Sequence, residues 1–322
     1  MRTVGFDLGG TKLLGVVTDE TGTVFGERRR PTLPRPEAAL DEIVAMLGDL
    51  AEDAGEAPAQ EPIAAVGVGI AGLVGLDGIV RHAPNLPGWD GLDAGSYLRD
   101  RIDVPVHVDN DATAAAFGEL IHGVARDRRD VLVVTLGTGI GGGIVAGGVL
   151  QRGGSGLAGE IGHITIDRSG PRCACGAAGH WEALASGQAL GRLGRGWAER
   201  GDAPEVLRLA GGSAEDVTGT HVGDAAQAGD SDALAIVGDF AGQVAVGLAS
   251  LVNVLDPEMV VIGGGLSELG PVLLDPLAAA CERRQLSGGR RPFPALVTAA
   301  LGERAGAVGA AALARQPGGQ RS

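Results

Sequence analysis

Short apolar runs alternate with helical patterns from the start of the chain. Residues 37–54 have apolar side chains at helical spacing, and residues 111–123 form an alanine-rich segment of the same kind. The predicted strands of this half are the apolar runs at 3–8, 13–18, 23–27, 63–72 and 105–109. Strands that alternate with helices in this way are typical of an α/β fold with partly parallel sheets.

The second half of the chain repeats the plan of the first. Residues 131–146 have the pattern of a strand, a glycine-rich turn and a returning strand, as residues 3–18 do. The later elements are a long, mainly helical stretch, two strands and a terminal helix, at about 183–252, 259–265, 294–301 and 303–314. This repeat predicts two related domains that face each other across a cleft.

We place a small N-terminal α/β domain at residues 1–118, with the terminal helix 303–315 packing back on it. A larger C-terminal α/β domain, which carries a zinc-binding loop, takes residues 119–302. A chain of 322 residues with 44% hydrophobic residues is long and apolar enough for two such domains. Because only 3% of the residues are aromatic, the cores must be built from Val, Leu, Ile and Ala.

The net charge of the chain excludes some classes of binding partner. A net charge of −14 repels nucleic acid and anionic membranes, so we expect neither as a partner. We find no apolar stretch of the roughly 20 residues that a membrane span needs, and no signal-peptide pattern, which predicts a cytoplasmic protein. The three cysteines, of which Cys173 and Cys175 stand two apart and Cys281 alone, favour a metal site or free thiols over disulfides.

Three glycine-rich turns follow apolar strands and are candidates for phosphate binding. Glycine lets backbone N–H groups approach phosphate oxygens. The carboxylate of Asp7 would repel a nearby phosphate, and an Mg²⁺ ion bound between them would remove this repulsion. The candidate residues are Asp7, Gly9, Gly10, Thr11 and Lys12 in DLGGTK; Gly137, Thr138, Gly139 and Gly141 in GTGIGGG; and Gly263, Gly264 and Gly265. Each turn alone could be an ordinary turn, but together they favour one nucleotide bound by both halves.

The segment VDNDATAAA places Asn110 and Asp111 between a strand and a helix. Asp111 could cap the helix, which would lower the pKa of its carboxyl. Alternatively, Asp111 accepts the proton of an attacking sugar hydroxyl while Asn110 orients the sugar, since phosphoryl transfer needs such an acceptor. Asp109 competes for this role, but strand alternation points it away from Asp111.

The stretch from 159 to 182 is the most informative. Its pair Cys173 and Cys175 lies between His163 and His180, a ligand set that can close a structural Zn²⁺ site. Free thiols and unrelated histidines are the alternative. The glutamates that flank this cluster, Glu160 and Glu182, suit hydrogen bonds to sugar hydroxyls.

Two further positions are candidates for substrate contacts. The proline-bounded turn RHAPNLPGW carries Asn85, which either lies in a surface loop or reaches the rim of a sugar site. Gly72, in the glycine turn that ends the strand at 63–72, is the other.

These motifs occur in the order seen in the repressor–ORF–kinase (ROK) family of sugar kinases, and the sequence most resembles its bacterial glucokinase branch. The motifs are DLGGTK, VGVGIAG, NLPGW, VDNDATAAA, GTGIGGG, GEIGH, CxCGxxG and VVIGGG. The resemblance runs from about residue 3 to 314, and its most specific part extends from GEIGH to HWE. One residue departs from the family pattern: His180 stands where the family has a third zinc cysteine.

The resemblance implies an actin-like (ribonuclease-H-like) fold whose two α/β domains close over ATP and a hexose, in a homodimer or homotetramer. It implies Asp111 as catalytic base, and glycine loops that hold the phosphates, with Asp7 near Mg²⁺ and 263–265 near the nucleoside. The residues implied to hold the sugar are Asn110, Glu160, His163 and Glu182.

The expected activity is phosphorylation of glucose to glucose 6-phosphate. Fructose, mannose, allose or an N-acetylhexosamine are alternative acceptors, and polyphosphate is an alternative donor. The same family contains sugar-responsive repressors, but these carry a DNA-binding segment before the first phosphate loop, and here that loop begins at residue 7. A non-kinase ATPase of the same fold would leave the His/Cys cluster unexplained.

Overall fold

The computed structural model describes residues 1–55, 62–286 and 290–316. By their internal contacts the residues form two compact units. Unit 1 contains Met1–Arg129, Gly143–Gly159 and Ala299–Ser322, and unit 2 contains Asp130–Gly142 and Glu160–Thr298. The domain limits placed from the sequence stay a prediction.

The described residues form twelve strands and ten α-helices. The strands are β1 (Arg2–Leu8), β2 (Lys12–Thr18), β3 (Val24–Pro31), β4 (Ile63–Ile70), β5 (Leu73–Val74), β6 (Val80–His82), β7 (Val106–Asn110), β8 (Val131–Leu136), β9 (Ile140–Ala146), β10 (Val149–Leu150), β11 (Met259–Gly263) and β12 (Ala295–Thr298). The helices are α1 (Pro36–Gly55), α2 (Ala94–Arg99), α3 (Asp111–His122), α4 (Trp181–Ala185), α5 (Gly187–Glu199), α6 (Pro204–Leu209), α7 (Gly219–Gln227), α8 (Ser231–Leu255), α9 (Pro271–Arg283) and α10 (Ala305–Ala314).

The main sheet of unit 1 has the strand order β3-β2-β1-β4-β7. Strand β1 is antiparallel to β2 and parallel to β4, and β4 is parallel to β7. The carboxyl ends of β1, β4 and β7 therefore lie at one edge of the sheet. The register pairs Asp7 with Gly69 and Gly69 with Asp109, so the polar residues that end these strands come to the same edge.

Helix α10 packs on this sheet through very small residues. Added Cβ atoms at Gly5 and Gly67 would come within 1.9 Å of the carbonyl oxygens of Ala307 and Ala310. On the other side of α10, a Cβ added at Gly309 would come within 1.7 Å of the carbonyl oxygen of Ala114 in α3. The many glycines and alanines thus allow backbone-to-backbone packing where larger side chains would not fit.

The second sheet has the order β10-β9-β8-β11-β12, with β8, β11 and β12 parallel. It therefore repeats the arrangement of the first sheet, a central strand with a hairpin on one side and two parallel strands on the other. The repeat predicted from the sequence is confirmed at this level. Strand β9 begins in unit 2 and ends in unit 1.

Helix α8 is the central helix of unit 2 and packs on α4, α5, α7 and α9. It is 25 residues long and contains an 18-residue window with a mean hydropathy of 1.7, which makes it, by length and composition, apolar enough to cross a membrane. This corrects the expectation that no apolar stretch reaches that length. Because 56% of its apolar window is buried inside the protein, its composition agrees with a core helix.

Candidate active site

The junction of β7 and α3 holds the predicted base, Asp111. Asn110 is the N-cap of α3, because its Oδ1 accepts the N–H of Thr113 at 2.8 Å. Its Nδ2 donates to the carbonyl of Gly72 and to Oδ1 of Asp111, both at 3.0 Å. The suggestion that Asp111 itself caps the helix is therefore wrong, since the preceding residue takes that place.

Asp111 is held in one orientation by these contacts. Its Oδ1 also accepts the N–H of Ala112 at 2.9 Å, while no hydrogen bond to its Oδ2 is found among the described residues. Burial raises the pKa of the Asp111 carboxyl, and the hydrogen bonds only partly oppose this effect. The capping argument from the sequence predicted a lowered pKa for Asp111, because it did not include the effect of desolvation.

Asp7, at the end of β1, is electrostatically coupled to Asp111. Burial and the negative charge of Asp111 raise the pKa of Asp7 to about 7, and Lys12 lowers it only partly. The first turn of α10 lies directly against it, since a Cβ at Gly306 would be 2.8 Å from its carboxyl carbon. Two carboxyl groups in this position favour a proton or a cation between them.

The β1–β2 turn contains the other residues of DLGGTK. Gly9 donates to the carbonyl of Lys12 at 2.9 Å, and Gly10 and Thr11 are exposed at the tip. Gly10 lies so close to Asn85 that a Cβ would be 2.8 Å from its carbonyl oxygen. The ammonium of Lys12 contacts Glu303 at 3.2 Å, an ion pair that sequence reasoning missed because it joins distant segments.

The segment 72–85 contacts the junction of β7 and α3 through the backbone carbonyl of Gly72, which accepts a hydrogen bond from Asn110. Gly72 is required by its surroundings, because a Cβ there would be 2.7 Å from the carbonyl of His82. The Asn85 side chain is exposed, and Trp89 of the same turn is fully buried. The structure therefore ties Gly72 to Asn110 and leaves Asn85 accessible.

In unit 2, His163, Cys173, Cys175 and His180 bring their donor atoms within 4.8 Å of one another. The Nδ1 atoms of the two histidines are 3.3 Å apart, and Sγ of Cys173 and Cys175 lie 3.7 and 3.2 Å from a histidine Nδ1. A tetrahedral Zn²⁺ site with ordinary bond lengths has nitrogen–nitrogen and sulfur–nitrogen separations of about 3.3–3.6 Å. The structure therefore brings together the four side chains predicted from the sequence, with three separations close to those of a tetrahedral site.

His163 connects this cluster to Glu160. Its Nδ1 faces the cluster, and its Nε2 lies 3.8 Å from Oε2 of Glu160. A metal-binding histidine commonly has a carboxylate at its other ring nitrogen, which orients the ring. One histidine can thus serve both the metal site and the neighbouring carboxylate.

Glu182 joins the same cluster to the glycine loop after β8. Its Oε2 accepts the N–H of Ile140 at 2.9 Å, and a Cβ at Gly139 would be 2.2 Å from that oxygen. Its Oε1 lies 3.5 Å from Sγ of Cys173. Burial raises the pKa of the Cys173 thiol to about 11, so this thiol is protonated unless a cation stabilises the thiolate.

The glycine loops at the ends of β8 and β11 lie side by side in unit 2. Gly264 has a φ of +78°, and a Cβ there would be 2.5 Å from the carbonyl of Leu136 at the end of β8. The carbonyl of Gly137 accepts the N–H of Gly187, the first residue of α5, at 2.8 Å. Gly141 and Gly263 belong to strands β9 and β11 themselves.

A cavity of about 690 Å³ opens beside these loops. Of the predicted phosphate-binding residues, Gly137, Thr138 and Gly265 line it. Its other walls are one face of α5, one face of α7 and the short helix at Gly265–Leu269. A volume of this size is in the range of small-molecule and cofactor sites.

Sequence reasoning did not identify α5 and α7 as walls of a site. The available signal was glycine at four-residue spacing, Gly187 with Gly191 and Gly219 with Gly223. These glycines let the helices approach, because a Cβ at Gly219 would be 2.6 Å from the carbonyl of Gly187. Such a pattern alone does not reveal which helix is the partner.

Comparison with known proteins gives the family. The ROK family profile matches residues 3–317. The chain belongs to the ROK family. A glucokinase of Streptomyces coelicolor is 39% identical over 321 residues, 98% of each chain. The crystal structure of a ROK family glucokinase from Streptomyces griseus, in complex with glucose and AMPPNP, has a TM-score of 0.89 and 38% identity over 98% of this chain and 100% of that one.

A xylose repressor of Bacillus subtilis is 31% identical, over 95% of this chain and 75% of the repressor. The chain is therefore similar both to glucokinases and to repressors of the family. The predicted family and its actin-like, ribonuclease-H-like α/β fold are confirmed. The roles of the individual site residues stay predictions.

Proposed function

We propose that this protein is a glucokinase that transfers the terminal phosphoryl group of ATP to the 6-hydroxyl of glucose. The observation that carries the proposal is the Asp111 carboxylate, oriented by Asn110 and Ala112 at a strand–helix junction. Support comes from the full-length similarity to a glucokinase whose structure contains glucose and an ATP analogue. Glucokinases at 39% identity strengthen the choice of glucose over other hexoses.

In the proposed mechanism, Asp111 accepts the proton of the sugar hydroxyl as its oxygen attacks the terminal phosphorus. The bond between that phosphorus and the bridging oxygen breaks, and ADP leaves. Asn110 would orient the sugar, and it also positions Asp111, because its amide nitrogen donates to Gly72 and to Asp111. Glu160, His163 and Glu182 would bind sugar hydroxyls, with Asn85 and Gly72 as further contacts of the substrate.

The two glycine loops would bind the phosphates of ATP through backbone N–H groups. The loop of unit 1 is Gly9 to Lys12, and the loop of unit 2 is Gly137 to Gly141. The N–H groups of Gly9, Gly137 and Ile140 already donate within the protein, so the other N–H groups of the loops would meet the phosphates. The loop at Gly263 to Gly265 would lie at the nucleoside.

An Mg²⁺ ion fits the carboxylates that end β1 and begin α3. Burial, and after it the negative charge of Asp111, raise the pKa of Asp7, so a cation beside this carboxylate would stabilise its charged form. Mg²⁺ prefers oxygen ligands and is usually held by one or two carboxylates plus substrate phosphates. Asp7 would hold it, and the ion would supply charge neutralisation during phosphoryl transfer.

A Zn²⁺ ion fits the cluster of His163, Cys173, Cys175 and His180. Its four donor atoms lie within 4.8 Å of one another, and the buried thiol of Cys173 needs a cation to ionise. All four positions are filled by protein, so the ion would stiffen the loop and would not activate water. His180 would replace a thiolate by an imidazole, which is also an ordinary zinc ligand.

A coupled ADP-release assay over a panel of hexoses tests the proposal. We expect sugar-dependent ADP release with glucose as the best acceptor and ATP preferred to polyphosphate. The control is the same reaction without sugar, in which release should fall to background. Turnover independent of any sugar would instead indicate a non-kinase ATPase, and a better acceptor than glucose would change the assigned substrate.

The remaining expectations follow from the proposal. We expect a cytoplasmic enzyme that assembles as a homodimer or homotetramer. Light scattering coupled to size exclusion would measure the assembly directly.

A further inference from the structure

Four charged residues line the cavity of unit 2: Arg192, Arg195, Asp224 and Glu268. Arg195 is partly buried and lines the cavity. Within the described ranges, it has no hydrogen-bond or ion-pair partner. The neighbouring Arg192, one turn earlier on α5, donates instead to the carbonyl of Ala183. Both arginines line the cavity, but only Arg192 is held by a hydrogen bond to the fold, so Arg195 is the one whose guanidinium is available to a ligand.

The position of Arg195 along α5 indicates which part of a ligand it meets. Helix α5 begins at Gly187, whose N–H donates a hydrogen bond to the carbonyl of Gly137 in the candidate phosphate-binding loop. Arg195 lies eight residues further on, about 12 Å along the helix axis. If the phosphates lie at the Gly137 loop, the nucleoside extends toward Arg195.

The residues of the cavity wall also indicate which kind of contact Arg195 makes with the nucleoside. None of the described lining residues is aromatic, so no ring can stack on a purine there. Leu266 and Leu269 supply apolar surface from the opposite wall. A guanidinium is planar and stacks on aromatic faces, which a lysine ammonium cannot do.

We propose that the guanidinium of Arg195 stacks on the base of the bound nucleotide and holds the nucleoside end of ATP. This inference rests on the proposed function, because it assumes that the cavity binds ATP. It names a specificity residue in a helix that no motif marks.

The test measures ADP binding by calorimetry over a series of salt concentrations. We expect Arg195→Ala to weaken ADP binding about 5- to 30-fold and to raise the KM for ATP similarly, with kcat and the KM for glucose nearly unchanged. Arg195→Lys should recover little of the ADP affinity, because lysine restores the positive charge but has no planar guanidinium that can stack on the base. Arg200→Ala is the matched control, since Arg200 follows α5, pairs with Asp202 and lies outside the cavity wall.

The salt series separates a base contact from a phosphate contact. A stacked arginine leaves the salt dependence of binding as in the parent protein, whereas loss of a phosphate contact flattens it. A flattened dependence, full recovery by Arg195→Lys, or unchanged affinity of Arg195→Ala would each overturn the proposal. Failure of the unmodified protein to bind ADP would instead overturn the proposed function.

Discussion

Three consecutive polar residues at the end of β7 have three different environments. Asp109 is buried and pairs with Arg152 and His107, Asn110 caps α3, and Oδ1 of Asp111 accepts hydrogen bonds from Asn110 and Ala112. Strand alternation separates Asp109 from Asn110 only, and the start of α3 at Asp111 ends the strand, so the direction of the third side chain is set by the helix. Chemical identity alone therefore does not distinguish a structural carboxylate from a reactive one.

At this scale, Asp111→Asn tests the proton acceptor. The amide keeps the shape and can still accept from Ala112, but it cannot take a proton from the sugar. We expect kcat to fall at least 100-fold, with binding of glucose and ADP changed by less than about threefold. Steady-state kinetics with binding measurements check this, and near-normal turnover would refute the assignment.

The raised pKa of Asp7 predicts a pH-dependent cost to stability. The folded carboxyl titrates near pH 7 and the unfolded one near 4, so the folded state binds more protons between these values. Stability is therefore lost as pH rises from about 4 to 7. We expect Asp7→Asn to raise the unfolding free energy at pH 8 by on the order of 1–3 kcal/mol, with little effect near pH 4.

Denaturant unfolding in EDTA at both pH values measures this difference. EDTA matters because a bound divalent cation would offset the repulsion between Asp7 and Asp111. The same variant should lose activity, which would make Asp7 a case of stability given up for function. Equal stabilisation at pH 4 and pH 8 would rule out the electrostatic explanation.

At the scale of elements, the segment from Glu160 to Glu182 contains all four metal-ligand candidates. Regular secondary structure is sparse there: a short 3₁₀ helix at Ile161–His163 and isolated bridges precede α4. A bound ion would therefore account for much of its order. The positions of Glu160 and Glu182 would then depend on the ion.

We expect Cys175→Ala to lower the zinc content from about one ion per chain to near zero and to raise the KM for glucose. Cys281→Ala is the control, because Cys281 is buried in α9, away from the cluster residues, and should leave the zinc content unchanged. Elemental analysis and kinetics give both readouts. Absence of zinc from the unmodified protein would contradict the proposed metal site.

Helix α8 supports this loop through one glycine. The indole of Trp181, between His180 and Glu182, is fully buried, and a Cβ at Gly247 would be 2.3 Å from its ring. Glycine in a helix is ordinarily about 1 kcal/mol worse than alanine. Here the missing Cβ is what allows the ring to pack.

We therefore expect Gly247→Ala to destabilise the protein by about 1–3 kcal/mol despite its better helix propensity. Gly238→Ala is a matched change on the same helix, with nothing within 4 Å of its added Cβ, and should be neutral or stabilising. Thermal unfolding of the two variants distinguishes packing from propensity. A higher melting temperature for Gly247→Ala would contradict the close packing.

At the scale of the whole molecule, acidic residues outnumber Lys and Arg by 40 to 26, although a xylose repressor is 31% identical. A net charge of −14 opposes binding to a phosphate backbone. We expect no salt-sensitive shift of DNA in a gel assay, with or without xylose or glucose. A shift that weakens as salt increases would revive the regulator alternative.

Local patterns in the sequence were enough to predict much of this molecule. Helices α1 and α3, the strand–turn–strand repeat and the four side chains of the His/Cys cluster all follow from periodicity, turn chemistry and spacing over short stretches. These features are encoded locally, so neighbouring residues carry the information. The glycine loops were recognised for the same reason.

The tertiary structure decided what depends on contacts between distant segments. Burial set the direction of the Asp111 pKa, the approach of Glu303 gave Lys12 an ion-pair partner, and the packing of α5 against α7 created a cavity that no motif marks. Desolvation and close packing depend on which surfaces meet, and residue spacing along one chain does not specify that. The sequence thus determined which groups are available for chemistry, and the fold determined their environment.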